Sequence, residues 1–315
     1  NQRHLCISAR SPSFMTPLSR RQLIGLVLLT LMWGLNWPVM KLALREISPL
    51  YFRGLTMGVG ALMLAGYFGR QGIRLLPRER SEWRTVVVLG LPNILGWHAL
   101  SIIGVAHLPA GRAAILGFTM PVWTVLLGVL LYRDKLTPRL VLAVVAVLTG
   151  IALLLWNEWA HLAGRPVGIA WMQGAALCWA LGTIWMRRAH LTLPAETLVV
   201  WMMVLSAAVI VLLAVTLEPP QHWHFSTAVW VSLVWSVLIN YGAAQVIWFA
   251  LARELPAATS AMSVMAVPLI GTLSAPLIVG EWPHWQDMAA MVCVVVAIGA
   301  VLLRRSEQEK KEKTL

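Results

Sequence analysis

Polar and aromatic residues recur at helical spacing inside an apolar stretch near the start of the chain. Trp33, Asn36, Trp37 and Met40 follow an i, i+3, i+4, i+7 pattern, so on a helix they share one face. Polar groups in membrane helices face the bundle interior or a wet cavity. We therefore place Trp33, Asn36 and Trp37 in a candidate substrate site. A hydrogen bond between helices is the alternative role for the Asn36 amide.

Two later apolar stretches carry hydrogen-bonding side chains at matching positions. In the first, Asn93 and Trp97 are four residues apart and His98 follows directly. The matching set in the second consists of Asn240, Tyr241 and Gln245. Because Asn93 and Asn240 are 147 positions apart, as are His98 and Gln245, the two stretches are expected to line one cavity. His98 could bind substrate or a proton, or could be a structural histidine.

Another polar and aromatic set lies further along the chain. Trp179 and Thr183 are four residues apart, and Trp185 lies nearby. Aromatic rings can enclose an apolar side chain and bind an ammonium group on their faces, which suits amino acids. Anchoring at the membrane interface is the alternative for many tryptophans. It applies to those near the ends of apolar stretches: Trp83, Trp156, Trp159, Trp223, Trp230, Trp282 and Trp285.

Several kinds of chemistry have no residues to support them in this sequence. All 13 acidic residues fall in loops, tails or near the ends of apolar stretches, so a proton relay through an embedded carboxylate is not expected. A Walker A sequence, His-Glu-x-x-His and Gly-x-Ser-x-Gly are all absent, which argues against an ATPase or an intramembrane enzyme. Cys6, Cys178 and Cys293 lack metal-ligand spacing. We expect no metal and no cofactor.

The elements that position these residues are membrane-spanning helices. The 315 residues are 59% hydrophobic and 12% charged, with a mean hydropathy of +0.74. A span needs about 20 mostly apolar residues. Ten such spans are predicted: 22–41, 49–69, 85–106, 110–131, 138–156, 167–187, 195–217, 227–252, 257–279 and 285–303. The net charge of +12 does not indicate a nucleic-acid partner, because Lys and Arg cluster in short segments between the spans.

Basic residues are concentrated on one side of the predicted spans. The positive-inside rule then places both termini in the cytoplasm, and we expect the protein in a bacterial inner membrane. Residues 1–21 form an N-terminal cytoplasmic segment in this interpretation, with Met15 as a possible initiator. Residues 304–315 are expected to be a solvated, partly disordered tail.

The chain contains an internal repeat. Five residue pairs share the offset of 147: Trp83 with Trp230, Asn93 with Asn240, Pro109 with Pro256, Pro121 with Pro268, and Asp134 with Glu281. The halves, 22–157 and 158–303, each hold five predicted spans. Because five is odd, the second half enters the membrane from the opposite side, which is a recurring architecture of transporters. We expect a monomer surrounded by lipid.

The chain also resembles a known family. The similar segments are Leu31-Met32-Trp33-Gly34-Leu35-Asn36, Ser48-Pro49-Leu50 with Arg53, Pro121, Asp134, Leu136-Thr137-Pro138, Gly150, Pro268, Gly280-Glu281 and Gly299. Together they resemble the EamA domain of the drug/metabolite transporter superfamily over nearly the whole chain. The abundance of Trp is most similar to the amino-acid exporters of that superfamily. Asp134 departs from the usual Glu, and Trp179-Ala180-Leu181-Gly182 departs from the Trp-Gly-x-Asn form.

Residues near the middle and the ends of the spans have predicted structural roles. Pro121 and Pro268 lie mid-span, where each removes a backbone hydrogen bond, and they are predicted hinges. Glu281, like Asp134, is interpreted as a cap or a loop salt bridge. Arg53 and Arg112 lie near the outer ends of spans, where each could meet a substrate carboxylate or extend to the interface.

The sequence thus predicts an all-α polytopic membrane protein of ten helices that works by alternating access. The predicted function is export of aromatic and other neutral amino acids, without a proton relay through carboxylates. A carrier of another small metabolite or drug, such as a nucleoside or an amphipathic cation, is the alternative. The expected partners are the small-molecule substrate and membrane lipid.

Overall fold

The computed structural model describes residues 19–133, 137–160, 166–254 and 266–312, and these residues form ten helices with no strand among them. The helices are α1 (Arg20–Ala43), α2 (Pro49–Arg70), α3 (Arg80–Gly90, Leu91–Gly96 and Trp97–His107), α4 (Ala110–Gly117 and Met120–Tyr132), α5 (Pro138–Ala160), α6 (Pro166–Arg188), α7 (Ala195–Leu217), α8 (Thr227–Val234, Trp235–Ala243 and Ala244–Glu254), α9 (Val267–Val279) and α10 (Trp285–Glu312). Met15 and Asp134 lie outside the described residues.

Capping residues set several helix ends. Ser19 begins α1 with a capping box, in which its hydroxyl accepts from Gln22 N and its own N–H donates to the Gln22 side chain. Pro49 occupies the first turn of α2, where its missing N–H is not needed. The Glu218 carboxylate accepts from the backbone N–H groups of Leu50 and Tyr51 at 2.9 and 3.1 Å. The second half of the chain therefore caps a helix of the first half.

Length and hydropathy agree with membrane spanning. Six stretches are long and apolar enough to cross a bilayer: Arg20–Ala43, Arg80–His107, Ala110–Tyr132, Pro166–Arg188, Ala195–Leu217 and Thr227–Leu251. Three shorter apolar helices are Leu140–Trp156, Val267–Val279 and Trp285–Ala300. The remaining helix, α2, has 22 residues and carries Arg53 close to its N-terminus. Large apolar side chains such as Leu62 and Leu277, 68% and 87% exposed, face outward as lipid-facing residues must.

The helices pack in a pattern that is preserved when the two repeats are exchanged. α2 packs on α7 and α5 packs on α10, so each of these pairs joins equivalent helices. α3 packs on α6 as α8 packs on α1, and α4 packs on α6 as α9 packs on α1. The two repeats are thus interleaved around a shared core instead of folding as separate bundles.

Both repeats contain π-helical turns at equivalent positions. One segment is Leu91–Gly96 in α3 and the other is Trp235–Ala243 in α8. Adding the repeat offset of 147 to the first segment gives residues 238–243, which lie inside the second segment. Pro92 lacks an N–H and so favours a break in the regular hydrogen-bond ladder of α3. π-Helical turns are rare and are frequently found at functional sites.

Two details differ from the sequence-based expectations. The helix α10 continues to Glu312, so the prediction of a partly disordered tail from residue 304 was wrong for most of that segment. Its Glu, Gln, Lys and Arg residues are strong helix formers, which explains the continuation. The fourth span is not one continuous helix, because α4 is interrupted at Phe118 and Thr119. Residues 257–265 of the ninth predicted span lie outside the described residues.

Candidate functional site

A buried cation lies at the contact between the two repeats. The side chain of Arg53 is on α2, one turn after the start of the helix, yet the residue is only 3% exposed. Its Nη1 donates to the hydroxyl of Tyr241 at 2.8 Å, and its Nη2 lies 3.0 Å from Sδ of Met40. Tyr241 lies at the centre of α8, 14 residues after Thr227 and 13 before Glu254. Arg53 therefore reaches into the bundle, and the alternative that it extends to the interface was wrong.

Tyr241 links this cation to His98. The Tyr241 hydroxyl lies 3.4 Å from Nδ1 of His98, and the two ring centroids are 5.8 Å apart. Since the hydroxyl oxygen already accepts from Arg53, its own proton can be donated to His98. That direction requires Nδ1 to carry no proton, which corresponds to the neutral ring with hydrogen on Nε2. Arg53, Tyr241 and His98 thus form a hydrogen-bonded chain from α2 through α8 to α3.

Close packing positions Tyr241 beside α2. A Cβ atom built on Gly60 would lie 2.5 Å from Cβ of Tyr241, closer than two such atoms can approach. Gly60 is on the same helix as Arg53, two turns further on. The absence of a side chain at this position therefore lets α8 approach α2 closely enough for the Tyr241 hydroxyl to reach the guanidinium.

Buried polar atoms without a hydrogen-bond partner lie on the helices that form this contact. Among the described residues, such atoms are Asn36 Oδ1 on α1, Nε of Arg53 on α2, and Trp235 Nε1 and Ser236 Oγ on α8. These three helices contact one another. Asn36 is 6% exposed and lies one turn before Met40 on α1, on the same face. An unpartnered polar group is costly in a membrane interior, so this cluster is suited to a polar ligand.

Two aromatic pairs lie on α1, α3, α6 and α8. Trp97 and Trp179 pack edge to face, with ring centroids 5.4 Å apart, and join α3 to α6. Trp33 and Trp248 lie 5.5 Å apart and join α1 to α8. The helix pairs α3–α6 and α8–α1 are equivalent in the two repeats, although Trp97 and Trp248 are not at equivalent positions. The structure thus brings Trp97 and Trp179 together, as well as His98 and Tyr241.

The other residues predicted for the site have mixed surroundings. Asn93 lies against Gly182, where an added Cβ would be 2.5 Å from Cβ of Asn93, so this contact fits α3 closely to α6. Asn240 is buried within the π-helical turns of α8. The remaining residues, Thr183, Trp185 and Gln245, are half-buried. Trp37 contacts Gly117 and Gly271, where an added Cβ would be 2.9 and 3.4 Å from its indole ring, so this residue fills the space between α4 and α9.

The predicted hinge prolines occupy first turns of helical segments. Pro121 follows the interruption of α4 by two residues, and Pro268 is the second residue of α9. They do not interrupt a continuous helix, as the mid-span prediction assumed. At the interruption of α4, the Gln173 side chain accepts from Trp123 Nε1 at 2.8 Å and donates to the Leu116 carbonyl at 3.3 Å. The hinge role itself remains a prediction.

Charged residues at one end of the bundle have structural partners. Glu281 accepts from the backbone N–H of Ala110 at 2.6 Å and caps α4, in agreement with its interpretation as a cap. Arg112 does not extend to the interface, because its Nε lies 2.6 Å from Oδ1 of Asp287 in a buried ion pair. Lys41 donates to the carbonyls of Val105 and Ala106. The Glu281 and Arg112 contacts join the two repeats at this end of the bundle, whereas the Lys41 contacts lie within the first repeat.

The sequence supports the same interpretation for Arg53 and Arg112, so Arg53 is not among the residues predicted for the site. The signal available was its position: a basic residue four positions into an apolar helix, followed by glycines that permit close approach. No pattern in the sequence predicts the contacts of Gln173 with Trp123 and Leu116. Among the described residues, no group of three or more His, Cys, Asp or Glu side chains is arranged to hold a metal ion.

Known proteins resemble this chain along nearly its full length. It is 25% identical over 300 residues to the uncharacterized transporter YvbV of Bacillus subtilis, covering 93% of this chain and 95% of the relative. It is 22% identical over 286 residues to the uncharacterized transporter YoaV of the same organism, covering 89% and 93%. A protein of Salmonella typhimurium named a probable amino-acid metabolite efflux pump is 24% identical over 298 residues, covering 89% and 94%.

A solved crystal structure has the same fold. It matches with a TM-score of 0.62 at 20% identity and covers 90% of this chain and 95% of its own. The model of the EamA-like transporter family matches this chain twice, at residues 20–156 and 166–303. These two matches coincide with the two repeats and together cover most of the sequence. The chain therefore belongs to the EamA-like transporter family.

Proposed function

We propose that this protein carries amino acids across the bacterial inner membrane and exports them. The observation that carries the proposal is the cluster of buried, unpartnered polar atoms on α1, α2 and α8, at the contact between the two repeats. A structural bundle in lipid would satisfy such groups internally. A carrier needs them for its cargo, because the transported molecule must exchange its water shell for protein contacts.

The surroundings of this cluster suit amino acids. A zwitterion needs charged or polar partners for its backbone groups, and an apolar or aromatic wall for its side chain. Arg53 and Asn36 provide the polar groups, while the Trp97–Trp179 and Trp33–Trp248 pairs provide aromatic surface. The Salmonella relative named a probable amino-acid metabolite efflux pump supports the same substrate class and direction.

Alternating access is the proposed mechanism. We infer that the bundle has two arrangements in which the repeats exchange conformations, because the helix contacts of one repeat have counterparts in the other. With inverted repeats, these arrangements open the central site to opposite sides of the membrane. The contacts Glu281 to Ala110 and Arg112 to Asp287 tie the repeats together at one end, which the positive-inside rule assigns to the outer face. They are candidates for contacts that break when that end opens.

Proton coupling through a carboxylate is not part of this proposal. The described acidic residues near the bundle ends, such as Glu218, Glu281 and Asp287, are engaged with backbone N–H groups or with Arg112. The energy for export would then come from the substrate gradient. A carrier of nucleosides would also use the aromatic pairs, and it is the alternative. An amphipathic cation is disfavoured by the buried positive charge of Arg53.

Counterflow in proteoliposomes tests the proposal. Vesicles preloaded with unlabelled phenylalanine, methionine or threonine should accumulate the labelled amino acid faster than protein-free vesicles, and a labelled nucleoside serves as the comparison. The amino-acid proposal fails if only the nucleoside exchanges. Imposing a pH gradient without a substrate gradient should produce no accumulation, and a concentrative uptake of many-fold would show that protons are coupled.

A further inference from the structure

We propose that the guanidinium of Arg53 is the receptor for a carboxylate group of the transported molecule, and that its Nε–Nη2 edge makes the contact. This inference rests on the proposed carrier function and adds to it the chemical group by which the substrate is recognised. It predicts that molecules without a carboxylate are poor substrates whatever their side chain.

The buried charge of Arg53 requires compensation. A guanidinium stays protonated in proteins, so Arg53 cannot relieve its burial by losing a proton. Removing a charge from water is strongly unfavourable unless an opposite charge and hydrogen bonds compensate for it. Within the described part of the chain, Arg53 is bonded to a phenol and a thioether and to no carboxylate. A buried cation of this kind is suited to bind an anion.

The two edges of the Arg53 guanidinium have different partners. Nη1 is occupied by the Tyr241 hydroxyl. On the opposite edge, among the described residues, Nη2 contacts the sulfur of Met40, which is a weak acceptor, and Nε has no partner. Nε and Nη2 direct two parallel N–H groups outward, the arrangement that binds both oxygens of a carboxylate. Tyr241 therefore fixes one side of the group and leaves the carboxylate-binding edge without an oxygen acceptor.

Arg112 provides an internal comparison. It is also buried near the start of a helix, and its Nε donates to the Asp287 carboxylate at 2.6 Å. The same atom of Arg53 is unpartnered. One buried arginine thus has a carboxylate partner from the chain itself, and the other has none in the part of the chain that the structure describes.

The residues beside the free edge allow a ligand to enter. Met40 has a flexible, unbranched side chain that can move when a stronger acceptor arrives. One turn earlier on α1, the Oδ1 atom of Asn36 is buried without a donor. A buried oxygen acceptor one helical turn from Met40 suits the ammonium group of an amino acid. The pair Arg53 and Asn36 therefore matches the charge pattern of a zwitterion, with Arg53 as the dominant contact.

Substrate analogues test the inference on the unmodified protein. Counterflow of labelled phenylalanine is measured against 3-phenylpropionate, which lacks the ammonium group, and phenylethylamine, which lacks the carboxylate. We expect 3-phenylpropionate to compete, and phenylethylamine to need a concentration at least about tenfold higher, because a charge-assisted bidentate contact is lost. Equal or stronger competition by phenylethylamine would overturn the proposal.

Variants of Arg53 provide the second arm. Arg53→Gln should raise the half-saturating phenylalanine concentration at least about tenfold, with Arg53→Lys in between because it keeps the charge without the bidentate edge. Arg70→Gln, at the exposed end of the same helix, is the matched control and should behave as wild type. The discrimination between 3-phenylpropionate and phenylethylamine should disappear in Arg53→Gln. Its persistence there would place the carboxylate site elsewhere.

The outcomes separate this inference from the proposed function. If the wild-type protein exchanges 3-phenylpropionate but no amino acid, the amino-acid proposal fails and the carboxylate site stands. If it exchanges phenylalanine and phenylethylamine equally well, transport stands and the role of Arg53 is rejected. If neither phenylalanine nor 3-phenylpropionate is exchanged or bound, both proposals are rejected.

Discussion

The hydroxyl of Tyr241 lies 2.8 Å from Nη1 of Arg53, so a residue at the centre of the second repeat holds a buried cation of the first. Gly60 permits the close approach, and the same hydroxyl lies 3.4 Å from Nδ1 of His98. When one repeat moves against the other, either the Arg53–Tyr241 hydrogen bond changes or the two residues move together. A cation shared between repeats is therefore well placed to link substrate binding to the conformation of the bundle.

Replacing Tyr241 by Phe should weaken substrate binding without unfolding the protein. The ring and its packing against Gly60 are kept, but Arg53 loses its one oxygen acceptor and is no longer held in place. We expect the KM for phenylalanine in counterflow to rise about five- to twentyfold, equivalent to about 1–2 kcal/mol. Tyr67→Phe, at an exposed position on α2, is the control. An unchanged KM in Tyr241→Phe would mean that the hydroxyl does not position Arg53.

The Trp97–Trp179 contact should matter for transport more than for folding. Trp97→Ala removes half of an edge-to-face pair between α3 and α6, and we expect at least a tenfold loss of phenylalanine counterflow. Size-exclusion chromatography in detergent should still show folded protein at the elution volume of wild type. Trp282→Ala, at a position that is 77% exposed, is the matched control and should transport normally. If both variants transport equally well, the aromatic pair is not part of the substrate path.

Removing one charge should have different effects on protein stability at the two buried arginines. Asp287→Asn leaves Arg112 without its carboxylate, and the free energy of unfolding should fall by about 3–5 kcal/mol. Arg53→Gln removes a charge that has no carboxylate among the described residues, so without substrate its Tm should be equal to or above that of wild type. Thermal unfolding followed by tryptophan fluorescence measures both. A large loss of Tm in Arg53→Gln would show that the chain compensates this charge internally.

Two glycines of α2 offer a test of the close contact with α8. In Gly60→Ala the added methyl group would meet Tyr241 at 2.5 Å, so α2 and α8 must separate, at a cost of about 1–3 kcal/mol in stability and with a loss of transport. In Gly66→Ala nothing lies within 4 Å of the added atom, and the higher helix propensity of Ala should stabilise by up to about 1 kcal/mol. Similar melting curves for the two variants would contradict the packing described for Gly60.

Much of the fold could be predicted from the sequence. The second span was predicted at 49–69 and the helix is Pro49–Arg70, while the seventh was predicted at 195–217 and the helix is Ala195–Leu217. The offset of 147 identified the repeats, and the family model matches them separately. The interruption of α4 and the extension of α10 to Glu312 were missed. Hydropathy reports where a chain enters lipid but is insensitive to a short break inside a span or to a polar helix beyond it.

The candidate site could be predicted only in part, since pairing across the repeats depends on packing. His98 and Tyr241 were placed on helices expected to line one cavity, and the structure brings the two rings together. The clustering of unpartnered atoms on α1, α2 and α8 depends on which helices touch and how closely, as glycines such as Gly60 permit. No local pattern contains that information.

Arg53 and Arg112 show the division between sequence and structure. The sequence by itself determined that both are basic residues near the starts of apolar helices in a duplicated membrane protein, because span length and repetition are local or periodic properties. Only the tertiary structure decided their partners. Arg112 meets Asp287, 175 residues later, and Arg53 meets Tyr241, 188 residues later. Whether a buried cation finds a carboxylate is set by the packing of distant helices, and that difference makes Arg53 the residue suited to bind a substrate.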